Sequence, residues 1–209
     1  MTTLPVGASP ARQDVLARRI RLLVAATISY NVVEAGVALA AGVVASSTAL
    51  LGFGLDSVVE VASAAGVAWQ FAGRDHQRRE ARERTALRVT AFSFYALAAF
   101  VIVDAVRALA GDGEAQHSPA GIVLAAVSLA VMPVLSVAQR RTGRQLGSAS
   151  AVADSKQTLL CTYLSGVLLL GLIANALIGW SWADPIAGLV IAAVAIREGR
   201  EAWKGDACC

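Results

Sequence analysis

Charge is what this 209-residue chain has least of: Asp, Glu, Lys and Arg make up only 16% of it, against about 25% in soluble domains. That is too little polar sequence to cover the outside of a water-soluble fold. Histidine is nearly absent, with His76 and His117 alone in segments that read as loops. No helix carries the two-His, one-Glu pattern of zinc hydrolases, and no Gly-rich loop runs into Lys-Ser/Thr as nucleotide binding requires. These absences argue against a membrane enzyme. Three cysteines are an odd number and form no disulfide framework. Two of them, Cys208 and Cys209, are adjacent at the C-terminus, where two thiols are too few to close a tetrahedral metal site alone. The basic stretches lack interleaved aromatics, so the net charge of +3 is no signal for nucleic acid.

Apolar sequence is what the chain has instead: 56% hydrophobic residues and a mean hydropathy of +0.61. It falls into six segments, near 21–43, 47–70, 88–110, 119–138, 152–175 and 182–198. Each is about 20 residues, enough to cross roughly 30 Å of hydrocarbon, although the sixth is the shortest. The chain is therefore expected to be an all-α polytopic membrane protein with six transmembrane helices. All but two of its 18 Lys and Arg residues fall on one side if the segments alternate. They include Arg12, Arg18, Arg19 and Arg21, the run from Arg74 to Arg88, Arg140, Arg141 and Arg144, and Arg197, Arg200 and Lys204. The positive-inside rule then puts both termini in the cytoplasm. The expected organisation is a cytoplasmic segment 1–20, a membrane domain 21–198 and a short cytoplasmic tail 199–209. The run Arg74 to Arg84 reads as a charged connector at anionic lipid headgroups. Arg18-Arg19-Ile20-Arg21 ahead of an apolar run, with Ala38-Leu39-Ala40 downstream, imitates a signal peptide. Asn31 and Glu34 interrupt that run, so an uncleaved first span is expected.

Polar residues inside the spans carry the functional information. Asp56 and Glu60 lie at i, i+4 on one helix face. A central Asp costs roughly 2.5 to 3.5 kcal/mol on insertion scales, so two acids need a reason. Asn31 and Glu34 share a face of the first span. Asp154, Gln157 and Cys161 form an i, i+3, i+7 series in the fifth. Measured along antiparallel helices, Asp56 and Glu60 lie roughly 12 and 18 Å deep and Gln157 and Cys161 roughly 8 and 14 Å. All four approach the midplane. Carboxylates, an amide oxygen and a thiolate suit zinc or a related divalent transition metal better than magnesium or calcium. Carboxylate and thiolate must lose their protons to bind metal, so exchange of metal for protons is the expected coupling.

The motifs resemble those of a family. Leu55-Asp56-Ser57-Val58-Val59-Glu60 is similar to the second-span acidic motif of the cation diffusion facilitators (cation efflux proteins). Ala153-Asp154-Ser155-Lys156-Gln157-Thr158-Leu159-Leu160-Cys161 occupies the place of that family's fifth-span motif, with Gln157 where a His is common and Cys161 where an Asp is common. Asp184-Pro185 resembles the opening of the sixth span. The likeness covers about residues 15–200. It implies a transmembrane-only relative, without the family's cytoplasmic C-terminal domain, similar in layout to the vesicular zinc-efflux proteins. It also implies a homodimer that exchanges zinc, manganese, cobalt or iron for protons, and movement of metal out of the cytoplasm.

Plainer readings stand beside these. Asp56 and Glu60 can be an interhelical hydrogen-bond pair, and a buried Cys such as Cys161 is often a small apolar filler. Gln157 can be amide glue between spans. Asp154 can pair with Lys156 or cap its helix. Asn31 and Glu34 either line a metal path or lock the first span to a neighbour. Asp104 and Arg107 read as an intrahelical pair, and Asp184 as the cap of its own helix with Pro185 in the first turn. His117, with Asp112 and Glu114, is a weak candidate for attracting cations at the outer mouth. The metal set expected from sequence is Asp56, Glu60, Cys161, Gln157 and Asp154, with no prosthetic group and the divalent metal as substrate. The expected function is divalent metal efflux, zinc foremost, by proton antiport in a plasma (inner) membrane. The alternative is a non-transporting membrane metal sensor or assembly partner.

Overall fold

A left-handed residue turns the first apolar segment into the second: Ser46 sits at φ 51°, and the Ser47 amide closes the end of the first helix on the Gly42 carbonyl at 2.9 Å. Such a terminal αL residue satisfies carbonyls that the helix itself leaves open. Ser47 then starts the next helix, its Oγ accepting from the Leu50 amide at 3.1 Å. Ser118 does the same two connections later, accepting from the Gly121 amide at 3.2 Å with Pro119 in the first helical position. These are the cap and N-terminal proline expected where a helix begins.

A computed structural model of the chain describes residues 10–71, 76–111, 115–146 and 149–204. Six helices run through them: α1 Pro10–Ala45, α2 Thr48–Phe71, α3 His76–Leu109, α4 Pro119–Leu146, α5 Ala149–Ile178 and α6 Ala183–Lys204. The all-helical membrane architecture read from the sequence is what the fold shows. Five helices, α1 to α5, are long and apolar enough to cross a membrane. α6 falls short, because Arg197, Glu198, Arg200 and Glu201 occupy its last third. The segment read as a charged connector is helical from His76 onward, as the start of α3 rather than a loop. The side chains of Arg12, His76, Arg78, Arg79, Arg82 and Arg84, and Arg74, Asp112, Glu114, Cys208 and Cys209 entirely, lie outside the described residues.

α2 is central, packed against α1, α3, α5 and α6, while α4 pairs with α5 and α1. Close approach to α2 depends on its glycines. A Cβ at Gly52 would meet Val101 Cγ2 of α3 at 3.0 Å, and one at Gly54 would meet Leu39 Cγ of α1 at 2.9 Å. Phe53, Leu50, Met132, Leu168 and Ile191 are fully buried and fill the core. Outward, the bundle is apolar, with Val44, Leu177 and Ile178 among many exposed large hydrophobics. The four tryptophans are all exposed and all near helix ends: Trp180 and Trp182 beside the α5–α6 turn, Trp69 and Trp203 near the far ends of α2 and α6. That is the distribution expected at two membrane–water interfaces.

Two sequence readings at the end of the bundle near the α1–α2 turn are corrected. Asp104 does not pair with Arg107; it accepts from Thr48 Oγ1 of α2 at 2.7 Å, and Arg107 is exposed. An acid at depth gains more from a hydroxyl across the helix interface than from an arginine that faces outward. Asp184 lies within the first turn of α6 rather than capping it. Its carboxylate caps α2 instead, accepting from Ser47 Oγ and from the Ala49 amide at 3.3 Å.

Candidate functional site

Away from the Asp104 and Asp184 contacts, a set of polar side chains meets between α1, α2, α4 and α5, in two layers. The first layer surrounds Glu34 of α1, which is 1% exposed. Its carboxylate accepts from Ser57 Oγ of α2 at 2.9 Å, from Ser128 Oγ of α4, and from Cys161 Sγ of α5 at 3.9 Å. Tyr30 Oη shares a 2.8 Å hydrogen bond with Ser128 Oγ. A cavity of about 530 Å³ between α1 and α4, walled by Val33, Val37, Val123 and Val127, reaches Tyr30 and Glu34.

The second layer lies further along the helices, two turns from Glu34 on α1 at Thr27 and two turns from Cys161 on α5 at Asp154. Thr158 Oγ1 of α5 donates to Glu60 Oε1 of α2 at 2.8 Å. Gln139 Nε2 of α4 donates to Thr27 Oγ1 of α1 at 3.0 Å and reaches Asp154 Oδ2 of α5 at 3.4 Å. Four helices are thus tied together by hydroxyls and one amide. Some atoms are left over. Glu60 Oε2, Asp154 Oδ1, Gln157 Nε2 and both polar atoms of Asn31 are buried with no hydrogen-bond partner among the described residues. Each such atom costs about 1 to 3 kcal/mol, and there is no bulk water in a bilayer core to relieve it.

Of the five residues singled out from sequence, four are buried: Asp56, Glu60, Asp154 and Cys161. Gln157 is only half-buried. Asp154 lies within α5 and is engaged by Gln139, which answers the capping alternative. Among the described residues no three His, Cys, Asp or Glu side chains form a compact metal-holding group; the donors are spread over the two layers. Sequence reasoning paired Asn31 with Glu34 but left both out of the metal set. It did not single out Thr27, Tyr30, Ser128, Gln139 or Thr158. Gln139, near the end of the fourth apolar run, carried a readable signal. Isolated hydroxyls in a helix are too common to carry one.

The model of the cation efflux transmembrane domain matches residues 24–204, from within α1 to the last residue of α6. The chain belongs to the cation efflux family. The resemblance read from the second, fifth and sixth spans is therefore shown over almost the whole bundle. As a cation efflux protein it is a multi-pass membrane protein of a cation-transporting family. No curated protein matches it.

Proposed function

We propose that this cation efflux protein exchanges a divalent transition metal, zinc foremost with manganese, cobalt and iron(II) as the related cargo, for protons across a plasma membrane. Asp56 and Glu60 are the primary ligands, with Cys161, Gln157 and Asp154 completing the set in turn. The membrane domain is residues 21–198, both termini are cytoplasmic, and the working unit is a homodimer that moves metal outward.

The observation that carries this reading is Glu60. It is 1% exposed within the membrane core, and only one of its two oxygens has a partner. Asp56, one turn away on the same face, is 7% exposed. A purely structural acid would be expected to satisfy both oxygens. A cargo site needs free carboxylate oxygens, and its carboxylates must be able to hold protons when the metal leaves.

One observation favours the alternative of a non-transporting metal sensor or assembly partner. Glu34 and Glu60 are each held by neighbouring hydroxyls, as members of a static interhelical network would be. Metal uptake into proteoliposomes separates the readings. Zinc, manganese, cobalt and iron(II) are offered in parallel to the wild type and to Asp56→Asn, with and without a pH gradient. Gradient-dependent uptake that the substitution abolishes supports transport and names the metal. Well-folded protein that takes up none of the four belongs to the sensor or assembly reading.

A further inference from the structure

Gln139 is the side chain on which the second layer turns. It is 1% exposed and lies on α4, a helix that carries none of the five candidate ligands. Its Nε2 faces two acceptors, Thr27 Oγ1 of α1 at 3.0 Å and Asp154 Oδ2 of α5 at 3.4 Å. An amide nitrogen only donates and an amide oxygen only accepts, so these two contacts fix the orientation of the amide. Oε1 is thereby turned to Thr158 Oγ1 of α5, which donates to it at 3.3 Å. The same hydroxyl donates to Glu60 Oε1 of α2 at 2.8 Å.

A hydroxyl has one hydrogen, so Thr158 serves one of these two acceptors at a time. The shorter distance gives that hydrogen to Glu60 while the carboxylate holds nothing else. A cation on Glu60 reverses the preference, because it draws on the carboxylate's electrons and leaves Oε1 a poorer acceptor. The hydroxyl would then lose a hydrogen bond in a core with no bulk water to replace it. The Asp154 carbonyl is also in reach, at 3.2 Å, but the helix already uses it for the Thr158 amide. We propose that Gln139 is a positioning residue of the cation site that acts through Thr158: its Oε1 is the second acceptor, to which the Thr158 hydroxyl turns when a cation takes Glu60. Loading the site thus moves one hydrogen bond from the α2–α5 contact to the α4–α5 contact. This rests on the reading of Glu60 as a ligand, and adds to it a residue that touches no cargo.

The test is a double-mutant cycle on the full-length chain in nanodiscs, with zinc and cobalt(II) as the probes. Binding is titrated for wild type, Gln139→Met, Thr158→Val and the double variant. Methionine keeps the length of the side chain without its amide. In the wild-type background Gln139→Met is expected to weaken zinc binding about fivefold, within the range of one hydrogen bond's net contribution. In the Thr158→Val background no hydroxyl needs the second acceptor, and the same change is expected to leave affinity within about twofold. Asp154 loses its contact with the amide in both backgrounds, so the difference isolates the route through Thr158. The lost Thr27 and Asp154 contacts should lower the unfolding temperature in both backgrounds alike. If Gln139→Met fails to fold, Gln139→Asn takes its place, since a side chain one methylene shorter keeps an amide in the core but withdraws it from Thr158. An equal fall in affinity in both backgrounds, or wild-type affinity in Gln139→Met, would overturn the proposal and leave Gln139 as glue between helices, with Glu60 still a ligand. A wild type that binds neither zinc nor cobalt(II) would remove the cargo site itself and this proposal with it.

Discussion

Cys161 Sγ on α5 donates to Glu34 Oε2 on α1 across 3.9 Å, so a buried thiol is held against a carboxylate from the opposite side of the site. Serine preserves that donor and roughly its volume but replaces sulfur with a hard oxygen. Cys161→Ser should therefore keep the fold and change the preference. Zinc affinity should fall relative to manganese by at least about tenfold, since soft ligands favour zinc and oxygen ligands suit manganese. Competition binding of the two metals to wild type and variant measures the ratio. An unchanged ratio would return Cys161 to the role of apolar filler.

The Thr158–Glu60 hydrogen bond ties α5 to α2 at 2.8 Å. Thr158→Val keeps the branched shape and removes the hydroxyl. Interhelical hydrogen bonds in membranes contribute about 0.6 kcal/mol on average and up to about 1.7, so unfolding in detergent should shift within that range. The second effect is on the metal. Glu60 would then have both oxygens free, and binding should tighten as stability falls. A variant that loses stability and metal affinity together would mean that Thr158 positions Glu60 for its ligand.

The architecture was legible because a membrane span is a coarse signal, about 20 apolar residues flanked by charge, and the match to residues 24–204 confirms the family that the short motifs implied. The layering was less legible. Asp56 and Glu60 stand out because acids are rare in spans. Ser57, Ser128 and Thr158 do not, because a hydroxyl inside a helix can bond back to its own turn, as Ser57 also does to the Phe53 carbonyl at 3.1 Å. Local spacing also misleads near helix ends. Asp104 and Arg107 are neighbours on a helix surface, yet the nearby Thr48 wins the acid because it comes from the packed side. Asp184 sits where a cap belongs, but serves a different helix. Which partner faces a residue across an interface is a tertiary property, and a single chain read along its length does not contain it.

That exchange of partners can be measured. Asp184→Ala removes the acceptor for Ser47 Oγ and the Ala49 amide at the start of α2. Loss of such a cap costs about 0.5 to 2 kcal/mol, read as a lower unfolding temperature. Arg107→Ala, at an exposed position without a role in holding Asp104, should stay within about 0.5 kcal/mol of wild type. Thr48→Val, which orphans Asp104, should cost more than Arg107→Ala. The reverse order would restore the intrahelical pair.

Proton coupling makes the most demanding prediction. A carboxylate or thiol that ligates metal must first be without its proton, so every proton the site holds at a given pH has to leave when metal binds. Protons and metal compete, and the sign follows: apparent affinity rises with pH and falls as the medium is acidified. Each proton displaced contributes about a tenfold change per pH unit, or about 1.4 kcal/mol. Zinc titrations of purified protein at pH 6, 7 and 8 should give affinities that climb by at least that factor per unit. The same titration in weak buffer should show the medium acidify in step with binding. Glu60→Gln removes one competing proton, so whatever metal it still binds should show a shallower dependence. Affinity that stays flat from pH 6 to 8, with no acidification on binding, would separate the acids from proton exchange. The core would then hold metal without the means to drive it outward against its gradient.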